Sequence, residues 1–162
     1  MAGLIRLPSI LLLEPDGLVR GSVTSVCRDL CLAEVIQTVN CASALKALAQ
    51  DPYQACILAL TDGGSCMDML AQLRQGSFSC AADVPVALTA SSIDAAIVAR
   101  LKSLEVRRLL LKPFKVRDLV VTVETLLGTS AQTGALPATA PGSGLPDRSV
   151  RHQTASGSTS TA

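Results

Sequence analysis

The sequence predicts a doubly wound α/β domain, a parallel five-stranded sheet with helices on both faces, and three observations carry that prediction. Short apolar runs alternate five times with longer segments of helical periodicity, which is the order a parallel sheet with crossover helices requires. The run from Ala55 to Leu60 is continuously apolar and stops at Thr61, Asp62, Gly63 and Gly64, as a strand buried on both faces does when it ends in a loop. Beyond Gly128 the periodicity ceases, so residues 1–128 make one domain of ordinary size.

The elements follow in order. Residues 10–13 (Ile10, Leu11, Leu12, Leu13) form a short apolar run between Pro8-Ser9 and Glu14-Pro15-Asp16-Gly17, a buried strand. Val19, Val23, Val26, Cys27, Leu30 and Cys31 recur at helical spacing, with Asp16 placed to cap the start. Residues 34–39 have strand composition, and Asn40 can cap a short helix carrying Leu45 and Leu48. After the central strand, Cys66, Met69, Leu70 and Leu73 line a third helix. Pro85 opens a strand that ends at Thr89, and Ser91 or Ser92 is positioned to cap a helix with Ile93, Ile97, Leu101 and Leu104 inward. Residues 106–111 make the fifth strand, closed by Lys112-Pro113-Phe114. The last helix carries Val116, Leu119, Val120, Val123, Leu126 and Leu127, and Gly128 stands where a helix stop belongs.

Composition narrows the classes. Hydrophobic residues are 49% and aromatics 2%, so the core is Leu, Val, Ile, Ala and Cys, and a net charge of +1 gives no whole-chain drive toward nucleic acid or a membrane surface. The first apolar stretch is interrupted by Arg6 and Pro8, is too short to span a bilayer and lacks a small-residue cleavage site, so a cytoplasmic protein is expected. The six cysteines (27, 31, 41, 56, 66 and 80) contain no C-x-x-C and have no histidine nearby, which argues for buried small hydrophobes in a reducing compartment. Cys27 and Cys31 alone share a helix face. Residues 129–162 are almost entirely Ser, Thr, Gly, Ala, Pro and Gln, with the single histidine, His152, and are expected to be a disordered tail.

Leu11-Leu12-Leu13-Glu14-Pro15-Asp16, Val84-Pro85-Val86-Ala87-Leu88-Thr89-Ala90 and Leu110-Leu111-Lys112-Pro113-Phe114, in this order, resemble the receiver domain of bacterial two-component response regulators of the chemotaxis-regulator type. The resemblance covers about residues 9–128 and implies a flavodoxin-like strand order of 2-1-3-4-5. It also implies a site. An active receiver phosphorylates an aspartate ending the third strand, with Mg²⁺ held by that aspartate and by acids after the first strand. The matching phosphoacceptor position is Ala59, and the acid pair falls on Glu14 and Pro15, with Asp16 as a third, peripheral acid. Thr89 and Lys112, which in the family bind phosphoryl oxygens, are retained. Mg²⁺ demands carboxylate oxygens in near-octahedral geometry, so a degenerate, metal-free pocket is expected, with Lys112 pairing with Glu14 in place of phosphate. The aromatic switch residue of the family matches Leu109, and the glycine at the turn into the fifth strand matches Glu105.

What the resemblance implies is therefore a phosphorylation-independent, non-enzymatic pseudo-receiver without cofactor, acting through a protein partner or a second copy of itself. Arg100, Lys102, Arg107, Arg108, Lys112, Lys115 and Arg117 face a single acid, Glu105, between residues 100 and 117. This region maps to the fourth helix, fifth strand and fifth helix, the usual receiver surface for dimers and effectors, and suits an acidic partner. An anion or nucleotide sensor using Thr89, Lys112 or the arginines is the first alternative, and a phosphorelay receiver using Asp62 the second. No helix-turn-helix or zinc module follows, so sequence-specific DNA binding has no support.

Overall fold

A computed structural model describes residues 5–61 and 64–128. Ten elements alternate strictly: β1 (Ser9–Leu13), α1 (Gly17–Asp29), β2 (Glu34–Thr38), α2 (Cys41–Gln50), β3 (Ala55–Ala59), α3 (Ser65–Arg74), β4 (Val86–Ala90), α4 (Ala95–Ser103), β5 (Arg108–Leu111) and α5 (Val116–Leu127). The strands form one parallel sheet in the order β2-β1-β3-β4-β5. The polypeptide thus winds outward in both directions from β1, and the carboxyl ends of the strands open on a common edge where sites are built in such sheets.

Alternation along each strand divides the core into two layers. Leu11, Leu13, Cys56, Leu58, Val86 and Leu88 pack with α2, α3 and α4 residues such as Leu48, Leu70 and Leu101. Ile10, Leu12, Ala55, Ile57, Ala87 and Leu110 pack with Val23 and Cys27 of α1 and Leu119, Val123 and Leu126 of α5. β3 is buried along its whole length, as its unbroken apolar run requires, whereas β2 at the sheet edge shows exposed Glu34 and Gln37.

Local chemistry fixes the helix ends. Asp16 caps α1, its carboxylate accepting from the Leu18 and Val19 amides at 2.8 and 3.2 Å, and Asn40 caps α2 in a capping box with Ser43. Gly128 closes α5 at φ 72. The cap of α4 is neither Ser91 nor Ser92 but Asp94, which accepts from the Ile97 amide at 2.8 Å. An anionic oxygen at a helix N-terminus is favoured over a hydroxyl by the helix dipole. Helix α1 is also shorter than its apolar spacing suggests. It stops at Asp29, Leu30 and Cys31 are exposed, and Cys31 takes φ 52 as the chain turns toward β2, so Cys27 and Cys31 do not share a helix face. Glu105 at φ 54 makes the equivalent turn into β5, a left-handed conformation held without glycine. β5 starts at Arg108 rather than at 106, and β2 and β3 each end one residue early, leaving Val39 exposed and Leu60 half-buried. The Thr/Ser/Gly/Pro-rich tail, with His152, lies outside the described residues.

Candidate functional site

The strand ends assemble the site. Glu14 follows β1, Ala59 ends β3, Thr89 lies in β4 directly opposite Ala59, and Lys112 follows β5. Counting by twos from Ile10, Leu12, Ala55, Ile57, Ala87 and Leu110 puts all four positions on the α1/α5 side of the sheet. The strand order β1-β3-β4-β5 places Ala59 and Thr89 between Glu14 and Lys112. Above them opens a cleft of about 790 Å³, lined by Glu14, Pro15, Asp16, Thr61, Ser91, Asp94, Arg100 and Lys112 among others.

Two long side chains meet at this edge. Lys112 Nζ lies 2.7 Å from Glu14 Oε2, a charge-assisted contact in which the carboxylate is almost wholly buried and the lysine side chain 22% exposed. The other carboxylate oxygen, Oε1, accepts from the Asp16 backbone N–H at 3.0 Å. Both oxygens of Glu14 are therefore engaged within the chain. The loop that carries Glu14 is clamped from α1 by Arg20, whose Nη1 donates to the Glu14 carbonyl at 2.8 Å and to the Pro15 carbonyl at 3.2 Å. Lys112 is oriented by its own amide, which donates to Ala90 O at 2.8 Å, and it precedes a cis peptide bond to Pro113.

Thr89 contrasts with this pair. Its residue is 2% exposed, and its Oγ1 is the buried side-chain oxygen without a hydrogen-bond partner among the described residues.

These positions do not fit a Mg²⁺ ion. Ala59 and Pro15 offer no side-chain oxygen, Glu14 has both of its oxygens committed, and Asp16 directs Oδ1 to two helix amides. No group of three or more His, Cys, Asp or Glu residues that could hold a metal occurs among the described residues. Asp62 lies outside them. Leu109, at the switch position, is half-buried against the α4 side of the core.

The basic run is brought together less tightly than its sequence suggests. Arg107 and Arg108 sit where β5 begins, and Lys112, Lys115 and Arg117 beyond where it ends, so about 13 Å of strand separates the two groups. Arg100 and Lys102 are on α4, and Arg100 makes a long 3.9 Å contact with Asp68 across exposed surface. Arg100, expected on the basic surface, also lines the cleft, whereas Arg20 and Asp94 were not legible in sequence, because they reach the site through loop carbonyls and a pocket wall that carry no local pattern.

The topology and the edge site together define the class of the fold. The chemotaxis protein CheY4 of Vibrio cholerae superposes with a TM-score of 0.66 at 16% identity, over 75% of this chain and 99% of that one. A response regulator from Thermotoga maritima gives 0.65 at 16% identity, over 75% and 98%. The receiver domain of the sensor histidine kinase PA1611 from Pseudomonas aeruginosa, a structure with a magnesium ion coordinated in its active-site cleft, gives 0.61 at 17% identity, over 75% and 98%. The chain has the fold of the response-regulator receiver domain. No family model matches the sequence, and neither does any curated protein. No helix among the described residues is long and apolar enough to cross a membrane.

Proposed function

We propose that this chain is a pseudo-receiver: a receiver domain in a two-component or related signalling pathway that works without phosphorylation, metal or enzymatic turnover and passes its message by docking to a cytoplasmic protein partner. The observation that carries this reading is the Glu14–Lys112 contact. In-line phosphoryl transfer rests on metal and lysine charge positioned around an acceptor carboxylate. At this edge the lysine charge is spent on Glu14, and the acceptor position holds a methyl group.

The docking surface would be the α4-β5-α5 face, where exposed Val98, Leu111 and Val116 lie among Arg100, Lys102, Arg107, Arg108, Lys115 and Arg117. Exposed aliphatic side chains among mainly basic residues, with Glu105 and Asp118 the nearby acids, suit a partner with an acidic rim, and a second copy of the chain is the competing occupant. The test is a pull-down from the source cell with wild type and with the double reversal R107E/R108E. The reading expects a partner retained by wild type, lost by the reversal, and bound equally with and without Mg²⁺ and acetyl phosphate. Capture that depends on acetyl phosphate would refute it.

A second reading, an anion or nucleotide sensor, is favoured by one observation, the unpartnered Thr89 hydroxyl facing a site that Lys112 also borders. Calorimetry with inorganic phosphate and a nucleotide panel separates it from the first.

A further inference from the structure

The two edges of the sheet are finished differently. β5 has four residues, opens on Arg108 and runs straight into Lys112 and Pro113, and cationic or proline residues at an exposed edge obstruct pairing with another strand. β2, at the other edge, carries none of these guards. Its five residues pair with β1 in unbroken register, from Ser9 opposite Glu34 to Leu13 opposite Thr38, so no bulge interrupts them. From residue 29 to residue 45 the sequence holds no Lys, Arg or Pro. Among the described residues no strand pairs with the outer side of β2.

The hydrogen bonds to β1 fix which backbone groups that outer side presents. Glu34 N donates to Pro8 O at 2.9 Å and Thr38 O accepts from Glu14 N at 3.1 Å, so Glu34, Ile36 and Thr38 turn their amides and carbonyls toward β1. Alternation along the strand turns those of Val35 and Gln37 outward. Such a pair is self-complementary about a two-fold axis through Ile36: antiparallel pairing sets Val35 of one copy opposite Gln37 of the other, and the two residues exchange both N–H···O bonds. The side chains suit the same register. Glu34, the only charge in the strand, falls opposite Thr38 and about 13 Å from the other copy's Glu34, while half-buried Ile36 meets its own copy. Just past the strand, Val39 at 48% exposure comes to the end of the other β2 that follows Leu30, itself 54% exposed.

We propose that β2 is a self-association edge: two copies of this chain join antiparallel through β2 about a two-fold axis at Ile36, and their two sheets of five strands become one continuous sheet. A second copy is the occupant this edge selects. Any extended peptide can use the free amides and carbonyls, whereas the matches of Val35 to Gln37, of Glu34 to Thr38 and of Val39 to the Leu30 end are properties of this sequence paired with itself. β5 lies at the far edge of each copy, so the α4-β5-α5 face stays open in both, and a partner docking there meets two sites in one particle.

The test measures the mass of the full-length chain by sedimentation equilibrium from micromolar to millimolar concentration. The expected result is a concentration-dependent rise from 16.7 kDa to twice that value. Gln37→Pro removes an outward N–H without breaking a bond to β1, so it should keep the circular dichroism of wild type and stay monomeric, while R107E/R108E should dimerise as wild type does. Cross-linking reads the register separately. In a Cys31→Ser/Cys41→Ser background the four remaining cysteines are buried. There copper phenanthroline should join two Ile36→Cys chains, whose paired Cα atoms stand about 4.5 Å apart in this register, through the tryptic peptide 29–46. Glu34→Cys in the same background should stay unlinked, since its two copies are about 13 Å apart, beyond the reach of a disulfide. The cross-link stands whether or not Gln37→Pro folds. A chain that is monomeric at every concentration, a dimer dissolved by R107E/R108E but not by Gln37→Pro, or equal cross-linking at positions 34 and 36 would overturn the proposal.

Discussion

At the carboxyl end of the sheet Lys112 pairs directly with a carboxylate, whereas at the amino end the half-buried Arg74 gives its hydrogen bonds to carbonyl oxygens. Lys112 and Glu14 lie 2.7 Å apart, so the lysine faces a carboxylate of opposite charge. Arg74 donates to Leu104, Ala82, Val84 and Glu105 carbonyls at 2.8, 2.8, 2.7 and 3.2 Å, joining α3, the α3–β4 loop and the left-handed turn at Glu105. Carbonyl dipoles satisfy its donors, and the Glu105 and Asp83 carboxylates act on it only through space. The comparison teaches that what a buried cation can still bind depends on which groups it already faces, a carboxylate for Lys112 and main-chain carbonyls for Arg74.

The largest expected effect is at the amino end. Arg74→Ala frees four carbonyls at once, and with charge-assisted bonds contributing more than neutral ones the loss is about 4 kcal/mol, read by urea unfolding. Arg74→Lys should recover less than half of it, since an ammonium cannot cover the guanidinium's fork of acceptors. At the carboxyl end Lys112→Ala strands the buried Glu14 carboxylate and should cost about 3 kcal/mol, most of it restored in the Glu14→Leu/Lys112→Met double variant. An unchanged midpoint for Lys112→Ala would mean the ion pair does not hold the pocket.

Two core thiols respond chiefly to burial. Burial pushes Cys27 from 9.0 to about 11 and Cys66 to about 12. Their folded values lie above the unfolded one, so their contribution is fully present below pH 9 and is lost as pH rises from there. Stability followed from pH 8 to pH 11 should fall by about 2–3 kcal/mol on account of Cys27, and Cys27→Ala should flatten that part of the profile. The smallest effect is of opposite sign. Thr89→Val replaces a buried hydroxyl that has no partner with a methyl of the same shape and should stabilise the fold by about 1 kcal/mol. A loss instead would show that the hydroxyl is bonded in solution.

The fold was legible because every strand is a short apolar run set between turn residues, and Glu14, Ala59, Thr89 and Lys112 could be matched to one site through the resemblance to receiver domains. What escaped was whatever depends on partners distant in sequence. Ser91 and Ser92 looked as good a cap as Asp94, since all three are cap formers within four residues. Cys31 continued the spacing of α1, but the chain had to reverse there to deliver β2 alongside β1. Arg74 and Arg20 show nothing in sequence, because their acceptors are main-chain carbonyls that any residue supplies. The basic run from Arg100 to Arg117 reads as one patch until the extended β5 divides it.

The central claim, that this receiver edge does not take a phosphoryl group, is tested most directly by incubating the purified full-length chain with Mg²⁺ and radiolabelled acetyl phosphate and counting acid-precipitable label. The account predicts no label above that of a sample in which Mg²⁺ is removed by chelation. Label approaching one phosphoryl group per chain, abolished by the chelator, would contradict it.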